Sequence, residues 1–235
     1  MSEFRYAGSE LELFADARNW KNYFCGKLRP YLGEEVVEVG AGLGSTSRLL
    51  SKGLEKRWLC LEPDAALARA IEGRVRAGEL PACCEVQVRT LAELDAGERF
   101  DTILYIDVLE HIEDDRAELA TAARFLRPGG RLAVLSPARQ FLFSDFDRAI
   151  GHHRRYDKRG LRAVVPEGLE EERVFYLDSA GMLASMANRF LLRQSSPSAK
   201  QIQTWDRLLV PISRVLDRLL AHRLGKSIVG IWRKP

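Results

Sequence analysis

The stretch Glu38-Val39-Gly40-Ala41-Gly42-Leu43-Gly44 decides the fold. It follows a short apolar run and opens a helical pattern. A strand that turns through glycines into a helix is the entry to a βαβ unit. Glycine suits that place because the backbone must turn tightly and approach a ligand closely. The free N–H groups of the helix start then face a polar ligand. Such a turn alone is common in α/β proteins, so its details matter. A dinucleotide site of the G-x-G-x-x-G type would place its third glycine at Ser45, but here it is Gly44. One acid, Glu38, precedes the glycines, and a second, Glu62, ends the next strand pattern. A carboxylate at that strand end accepts hydrogen bonds from a pair of ribose hydroxyls, being acceptor-only with two oxygens. The blander reading is two solvated strand ends.

Outward from this turn, strands are predicted at Glu35 to Val39, Arg57 to Leu61, Glu85 to Arg89, Phe100 to Ile106 and Arg131 to Ser136. Helical patterns lie between them. The first is Ser9 to Arg29, with Leu13, Trp20, Phe24 and Leu28 as its stripe, and the second is Ser45 to Lys52. A third is capped by Asp64, and a fourth runs from Asp114 to Phe125 before a sharp Pro128-Gly129-Gly130 turn. A polar, aromatic loop from Ala138 to Tyr156 leads to a helix ending at Val165 and a sixth strand, Glu170 to Leu177. A helical insertion, Gly181 to Arg223, interrupted at Ser195-Ser196-Pro197, precedes the last strand, Ser227 to Trp232. The alternation predicts an α/β, Rossmann-like, doubly wound sheet of seven mostly parallel strands, with helices on both faces and the insertion before the last strand. One domain is expected over 1–235: a helical cap at 1–33, the glycine-turn core at 34–137, a loop, helix and strand at 138–180, the insertion at 181–225, and the last strand at 226–235. There is no internal repeat.

Composition narrows the class. The chain has 235 residues, 46% of them hydrophobic and 29% charged, as in an ordinary globular protein. A net charge of +3 is too weak to argue for nucleic acid. Cys25, Cys60, Cys83 and Cys84 form no C-x-x-C pair, so neither a disulfide framework nor a metal site is expected. Met1 to Glu12 lacks the apolar core of a signal peptide, and no apolar run is long enough to span a bilayer. A cytoplasmic protein is the expectation, and any membrane contact is peripheral.

The glycine turn and the acid at Glu62 are joined by Val108-Leu109-Glu110-His111-Ile112-Glu113-Asp114-Asp115 and by Leu126-Arg127-Pro128-Gly129-Gly130-Arg131-Leu132. Together they resemble the class I S-adenosylmethionine-dependent methyltransferases. More narrowly they resemble the small-molecule branch that includes the ubiquinone-biosynthesis methyltransferases (type 11 and type 12 domains). The resemblance covers about Glu35 to Pro137. It extends more loosely to Gly151-His152-His153-Arg154-Arg155-Tyr156, which resembles one bacterial subgroup that also shares Ala17-Arg18-Asn19-Trp20 and Gly225-Lys226-Ser227-Ile228. The resemblance implies S-adenosylmethionine as cofactor and S-adenosylhomocysteine as product. Glu38, Gly40, Ala41, Gly42 and Gly44 would hold its methionine and ribose, and Glu62, with Pro63 beside it, the ribose hydroxyls. Asp107 and Val108 would face the methionine end, and Trp20 and Tyr23 would close over the sulfonium. Many relatives place an acid where this chain has Arg89-Thr90-Leu91, so the Leu91 backbone is the candidate for the adenine.

Methyl transfer from a sulfonium gains mainly from alignment of acceptor and methyl. A hydroxyl acceptor also gains from a base, and histidine suits that task near neutral pH. The candidate catalytic residues are His111, His152, His153 and Tyr156, each with a plain loop-forming role as the alternative. Arg154 and Arg155 either bind an acceptor group or pair with nearby aspartates to order the loop. His222 is expected on the surface. In the insertion, Trp205, Leu208, Leu209, Ile212, Val215, Leu216 and Leu219 form an apolar stripe. The favoured reading packs that stripe on its own domain, and the sharper one makes it an interfacial helix for a lipidic acceptor. The predicted function is methylation of a small-molecule acceptor, at oxygen, with a sugar, polyketide-like, quinone or lipid-linked substrate. The rivals are an NAD-dependent oxidoreductase, a nucleic-acid or protein methyltransferase and a non-catalytic cofactor-binding regulator. Ile106-Asp107-Val108-Leu109 stands where amino-methylating DNA enzymes carry an Asn/Asp-Pro-Pro-aromatic run, and no nucleic-acid partner is expected.

Overall fold

A computed structural model describes residues 6, 10–187 and 197–235. Seven strands form one sheet in the order β3-β2-β1-β4-β5-β7-β6. They are β1 Glu35–Val39, β2 Arg57–Leu61, β3 Cys84–Gln87, β4 Phe100–Ile106, β5 Leu126–Pro137, β6 Glu170–Leu177 and β7 Ser227–Arg233. The first five pair in parallel, and β7 is antiparallel to both neighbours. Side chains alternate across the central strands. Val36, Cys60, Leu104 and Ala133 pack on one face with α2 (Arg18–Leu28). Val37, Leu59, Ile103 and Leu132 pack on the other with α5 (Asp115–Phe125). Burial on both faces explains why these strands read as continuous apolar runs.

Several boundaries differ from the sequence reading, each for a local reason. The long first helix is two pieces, Glu10–Leu13 (α1) and α2. The turn between them frees the α2 start, whose Asn19 and Trp20 N–H groups donate to the Asp206 carboxylate. The helix after the glycine turn shortens to Ser47–Leu50 (α3). Pro128-Gly129-Gly130 lies within β5 rather than in a sharp turn. There the Gly129 N–H donates to the Lys234 carbonyl, and the Lys234 N–H donates to the Gly130 carbonyl. Asp64 caps α4 (Ala65–Arg76), accepting from the Ala66 and Leu67 N–H groups. The loop after β5 holds a short helix, α6 (Asp145–Ala149), and then α7 (Lys158–Val164).

The insertion is α8 (Ser179–Ala187), α9 (Ala199–Thr204), a π-helical turn at Trp205–Leu209 and α10 (Val210–Leu219). Ser195 and Ser196 of the expected interruption lie outside the described residues. The apolar stripe divides: Trp205 and Leu209 pack into the domain's own core, and most of the rest turns outward. Leu208, Ile212, Val215 and Leu219 are 60%, 49%, 61% and 76% exposed. The inward face of α10 carries the buried Ser213 and Asp217 instead. Asp217 accepts from Tyr23 Oη and from the N–H groups of Asp178 and Ser179, so it closes the start of α8. His222 is not a free surface residue. Its backbone is left-handed (φ 55°), and its ring lies 3.3 Å from the Tyr176 carbonyl and 3.2 Å from Lys27 Nζ.

Candidate active site

The order of the sheet reverses direction between β1 and β4, and ligands in such folds bind outside the strand ends at that point. There a cavity of about 1610 Å³ opens. That volume exceeds what one drug-sized ligand needs, so it has room for two reactants side by side. Trp20, Glu38, Gly40, Ala41, Gly42 and Glu62 line it, followed by Pro63, Leu91, Asp107, Val108, His111 and His152.

The glycine turn is built for close approach. Gly40 has φ +65°, and a Cβ there would meet Val108 Cγ2 at 2.7 Å. Gly44 is not on the cavity wall, since its missing side chain makes room for Ile71 and Leu80. Glu62 is buried at the end of β2. One of its oxygens accepts from the Gly42 N–H at 2.7 Å, the other from the Asp64 N–H at 3.0 Å. Each oxygen keeps a lone pair. Burial raises its pKa, opposed by those two bonds.

Glu38 shares the inner face of β1 with Val36 and so points toward α3. A single oxygen, Oε2, accepts from Ser47 Oγ at 2.6 Å and Trp58 Nε1 at 3.1 Å. Burial pushes its pKa up to about 7 despite those bonds. Asp107 follows β4 in a left-handed conformation (φ 53°), which for a non-glycine residue is a strained place and is common at functional sites. Its side chain is exposed to solvent within the cavity, and crowding by the walls raises its pKa to about 6, tempered by His152, Lys226, Arg155 and Lys21. At the expected adenine end, Glu93 is held by the Thr90 N–H and hydroxyl, which leaves Leu91 on the wall.

The opposite end holds the histidines. His111 and His152 meet edge to face, with ring centroids 4.5 Å apart. Burial, then the other two histidines, lower the His111 pKa to about 4, so its ring is neutral near pH 7. His152 Nδ1 lies 3.0 Å from Asp147 Oδ1. Asp147 also takes a two-pronged bond from Arg155 at 2.9 and 3.0 Å, and two more from Ser144. These partners hold its carboxyl below the usual range against burial. Arg155 therefore orders the loop, as the pairing alternative expected, and Arg154 pairs with Asp115.

Three candidates lie away from the cavity. Tyr23 is turned toward α10 by its bond to Asp217. Tyr156 is buried, with its hydroxyl on Asp115 at 2.6 Å, and burial raises its pKa further, so it braces the loop and is not a base. His153 is exposed, held by its backbone to the Glu110 carbonyl. Among the described residues the sequence reading missed two groups at the site. One is Asp147, five residues before His152. The other is Glu110, buried and bonded to Ser136 Oγ at 2.8 Å. Glu110 stood in the quoted Leu-Glu-His segment, but nothing in its spacing ties it to His152.

Residues 37–132 match the family model described as a methyltransferase domain. Over those residues the chain is similar to the class I methyltransferases. The chain is 33% identical over 104 residues to a ubiquinone biosynthesis O-methyltransferase of Paramagnetospirillum magneticum, covering 44% of this chain and 40% of that protein. It is 30% identical over 130 residues to a demethylmenaquinone methyltransferase of Tropheryma whipplei, covering 52% and 49%. The match thus spans about two fifths to a half of those relatives' length. Among solved structures, a geranyl diphosphate C-methyltransferase of Streptomyces coelicolor, with Mg²⁺, geranyl diphosphate and S-adenosyl-L-homocysteine, superposes with a TM-score of 0.65. It is 13% identical, over 100% of this chain and 87% of that one. An N-methyltransferase of Bradyrhizobium japonicum bound to S-adenosyl-L-homocysteine gives 0.62 at 15% identity, over 98% and 94%. These likenesses are of fold alone.

Proposed function

We propose that the chain transfers a methyl group from S-adenosylmethionine to an oxygen of a small-molecule acceptor. The observation that carries this reading is Glu62, buried on the cavity wall opposite the glycine turn, with a lone pair left on each oxygen. The residues fit the cofactor. Glu62 would accept from the ribose hydroxyls, the open glycine turn would admit the backbone-hugging chain, and the Glu38 carboxyl would meet the ammonium. Leu91 would lie against the adenine, and Trp20 would cover the sulfonium end; Tyr23 has no part in that cover. Bound there, the cofactor supplies an activated methyl on a good leaving group. The chain's own work is to align the acceptor and keep water out. The acceptor would lie toward His111 and His152, with Asp147 fixing the His152 ring. The name of the ubiquinone biosynthesis O-methyltransferase supports an oxygen acceptor, and that of the demethylmenaquinone methyltransferase a quinone-like ring. A lipid-linked acceptor is favoured by Leu208, Ile212, Val215 and Leu219, the exposed part of the stripe.

The test is S-adenosylmethionine labelled on its methyl group, incubated with purified protein and demethylated quinones or a fractionated extract. Label in a lipid or small-metabolite fraction supports the reading, and alkali-stable ether linkage supports oxygen. Label in protein or nucleic acid overturns the acceptor class, and cofactor binding without transfer to any fraction favours the regulatory alternative.

A further inference from the structure

At the acceptor end of the cavity, Glu110, His111 and His152 each offer one ligand-type atom, all within 4.8 Å of one another. Glu110 is fully buried, 0% exposed. Its Oε2 is used by Ser136 Oγ, but its Oε1 has no hydrogen-bond partner among the described residues. An orphaned carboxylate oxygen inside a protein costs several kcal/mol unless something compensates it. His152 Nε2 stands 3.8 Å away, too far for a hydrogen bond. It is a separation that two metal–ligand bonds of about 2.1 Å span without strain.

The surroundings point the same way. His152 has its Nδ1 on Asp147, so Nδ1 carries the proton and the Nε2 lone pair faces Glu110. A carboxylate behind a histidine is the usual outer support of a metal-bound imidazole. Ser136 does the same for Glu110. His111 and His152 sit on the cavity wall with Glu110, so further positions of an ion would face the acceptor.

We propose that Glu110, His111 and His152 bind one divalent first-row transition-metal ion at the acceptor end of the cavity. Two imidazoles and one carboxylate favour zinc, cobalt, iron or manganese over calcium, which takes six or more oxygens. The three-ligand set resembles an open, catalytic site rather than a closed structural one. Its use rests on the methyl-transfer reading. An acceptor hydroxyl on the ion would be acidified and give its proton to water. The oxygen would then bond to the methyl carbon, and the C–S electron pair would stay on sulfur. Asp147 is a positioning residue in this arrangement.

The test uses the tag-free full chain, stripped with chelator and titrated with Co²⁺. Visible d–d bands and their displacement by Zn²⁺ report the site. One saturable equivalent is expected. Glu110→Gln and His152→Ala should each weaken it at least about a hundredfold, and Asp147→Asn about tenfold. S-adenosylmethionine affinity, measured in the same variants, should change less than about threefold, which shows that they fold and keeps the cofactor reading separate. No Co²⁺ uptake by the wild type up to about 1 mM overturns the site, as do variants that bind like the wild type. Should a variant not fold, pulsed EPR of the Cu²⁺-loaded wild type decides. Two coupled imidazoles support the site, and one or none overturns it.

Discussion

At the residue scale, burial raises the pKa of both acids of the cofactor end against their hydrogen bonds. Glu62 is stabilised by two backbone N–H groups, so Glu62→Gln would lose charge-assisted acceptors while keeping shape. Each such bond is worth about 1.5–3 kcal/mol, so cofactor affinity should fall about tenfold to a hundredfold by calorimetry; an unchanged affinity would remove Glu62 from the site. Glu38 is bonded by side chains instead. Its folded pKa, about 7, lies above the usual glutamate value near 4.5. The folded state therefore holds the proton more tightly than the unfolded one. The resulting stability is complete below about pH 4.5 and is lost as pH rises through 7. At pH 8 the apo protein carries a penalty on the order of 3 kcal/mol, at 1.36 kcal/mol per pKa unit. Glutamine keeps an oxygen for Ser47 and Trp58 but no charge. Apo Glu38→Gln should thus melt higher than wild type at pH 8 and match it near pH 5, yet bind the cofactor more weakly. A melting difference independent of pH would refute the assigned cause.

At the element scale, buried aspartates at the ends of helices tie the insertion to the core. Asp206 takes the first N–H groups of α2, and Asp217 takes those of α8 and the Tyr23 hydroxyl. Asp217→Ala leaves three buried donors unpaired, at about 1 kcal/mol or more each. A loss of about 3–5 kcal/mol is expected, read as a melting-point drop of about 6–15 °C. A drop under 2 °C would mean that water replaces the carboxylate at ~0.5 kcal/mol in all. The sheet and glycine turn were legible in the sequence because their cause is local: apolar runs of strand length, glycines at a tight turn, Asp64 before a helical stripe. The ties to the insertion were not. Asp206 and Asp217 sit among leucines and arginines at helical spacing, and their donors are 187 and 39 residues away. The same limit hid the acceptor end. His111 and His152 were visible as candidates, but Tyr156 looked equal to them until Asp115 claimed its hydroxyl.

At the scale of the whole molecule, the inward polar and outward apolar faces of α10 invert the usual surface helix. Leu208, Ile212, Val215 and Leu219 lie exposed at helical spacing, with Arg207, Arg214 and Arg218, also exposed, among them. No helix of the described residues is long and apolar enough to cross a membrane. An apolar stripe beside cations instead suits the boundary of an anionic bilayer, where each arginine near the surface contributes about 1 kcal/mol and half-burial of each apolar side chain a similar amount. The full chain should co-sediment with vesicles containing phosphatidylglycerol and much less with phosphatidylcholine alone, and added salt should weaken the binding. Ile212→Glu with Leu219→Glu should reduce that partition at least about tenfold, since two apolar contacts become repulsive charges. Both positions point away from the cavity wall, so methyl transfer to a water-soluble acceptor should persist in the double variant while transfer to a vesicle-borne one falls. Equal partition of wild type and double variant would place the bilayer contact elsewhere, and equal partition to neutral and anionic vesicles would remove the arginines from it.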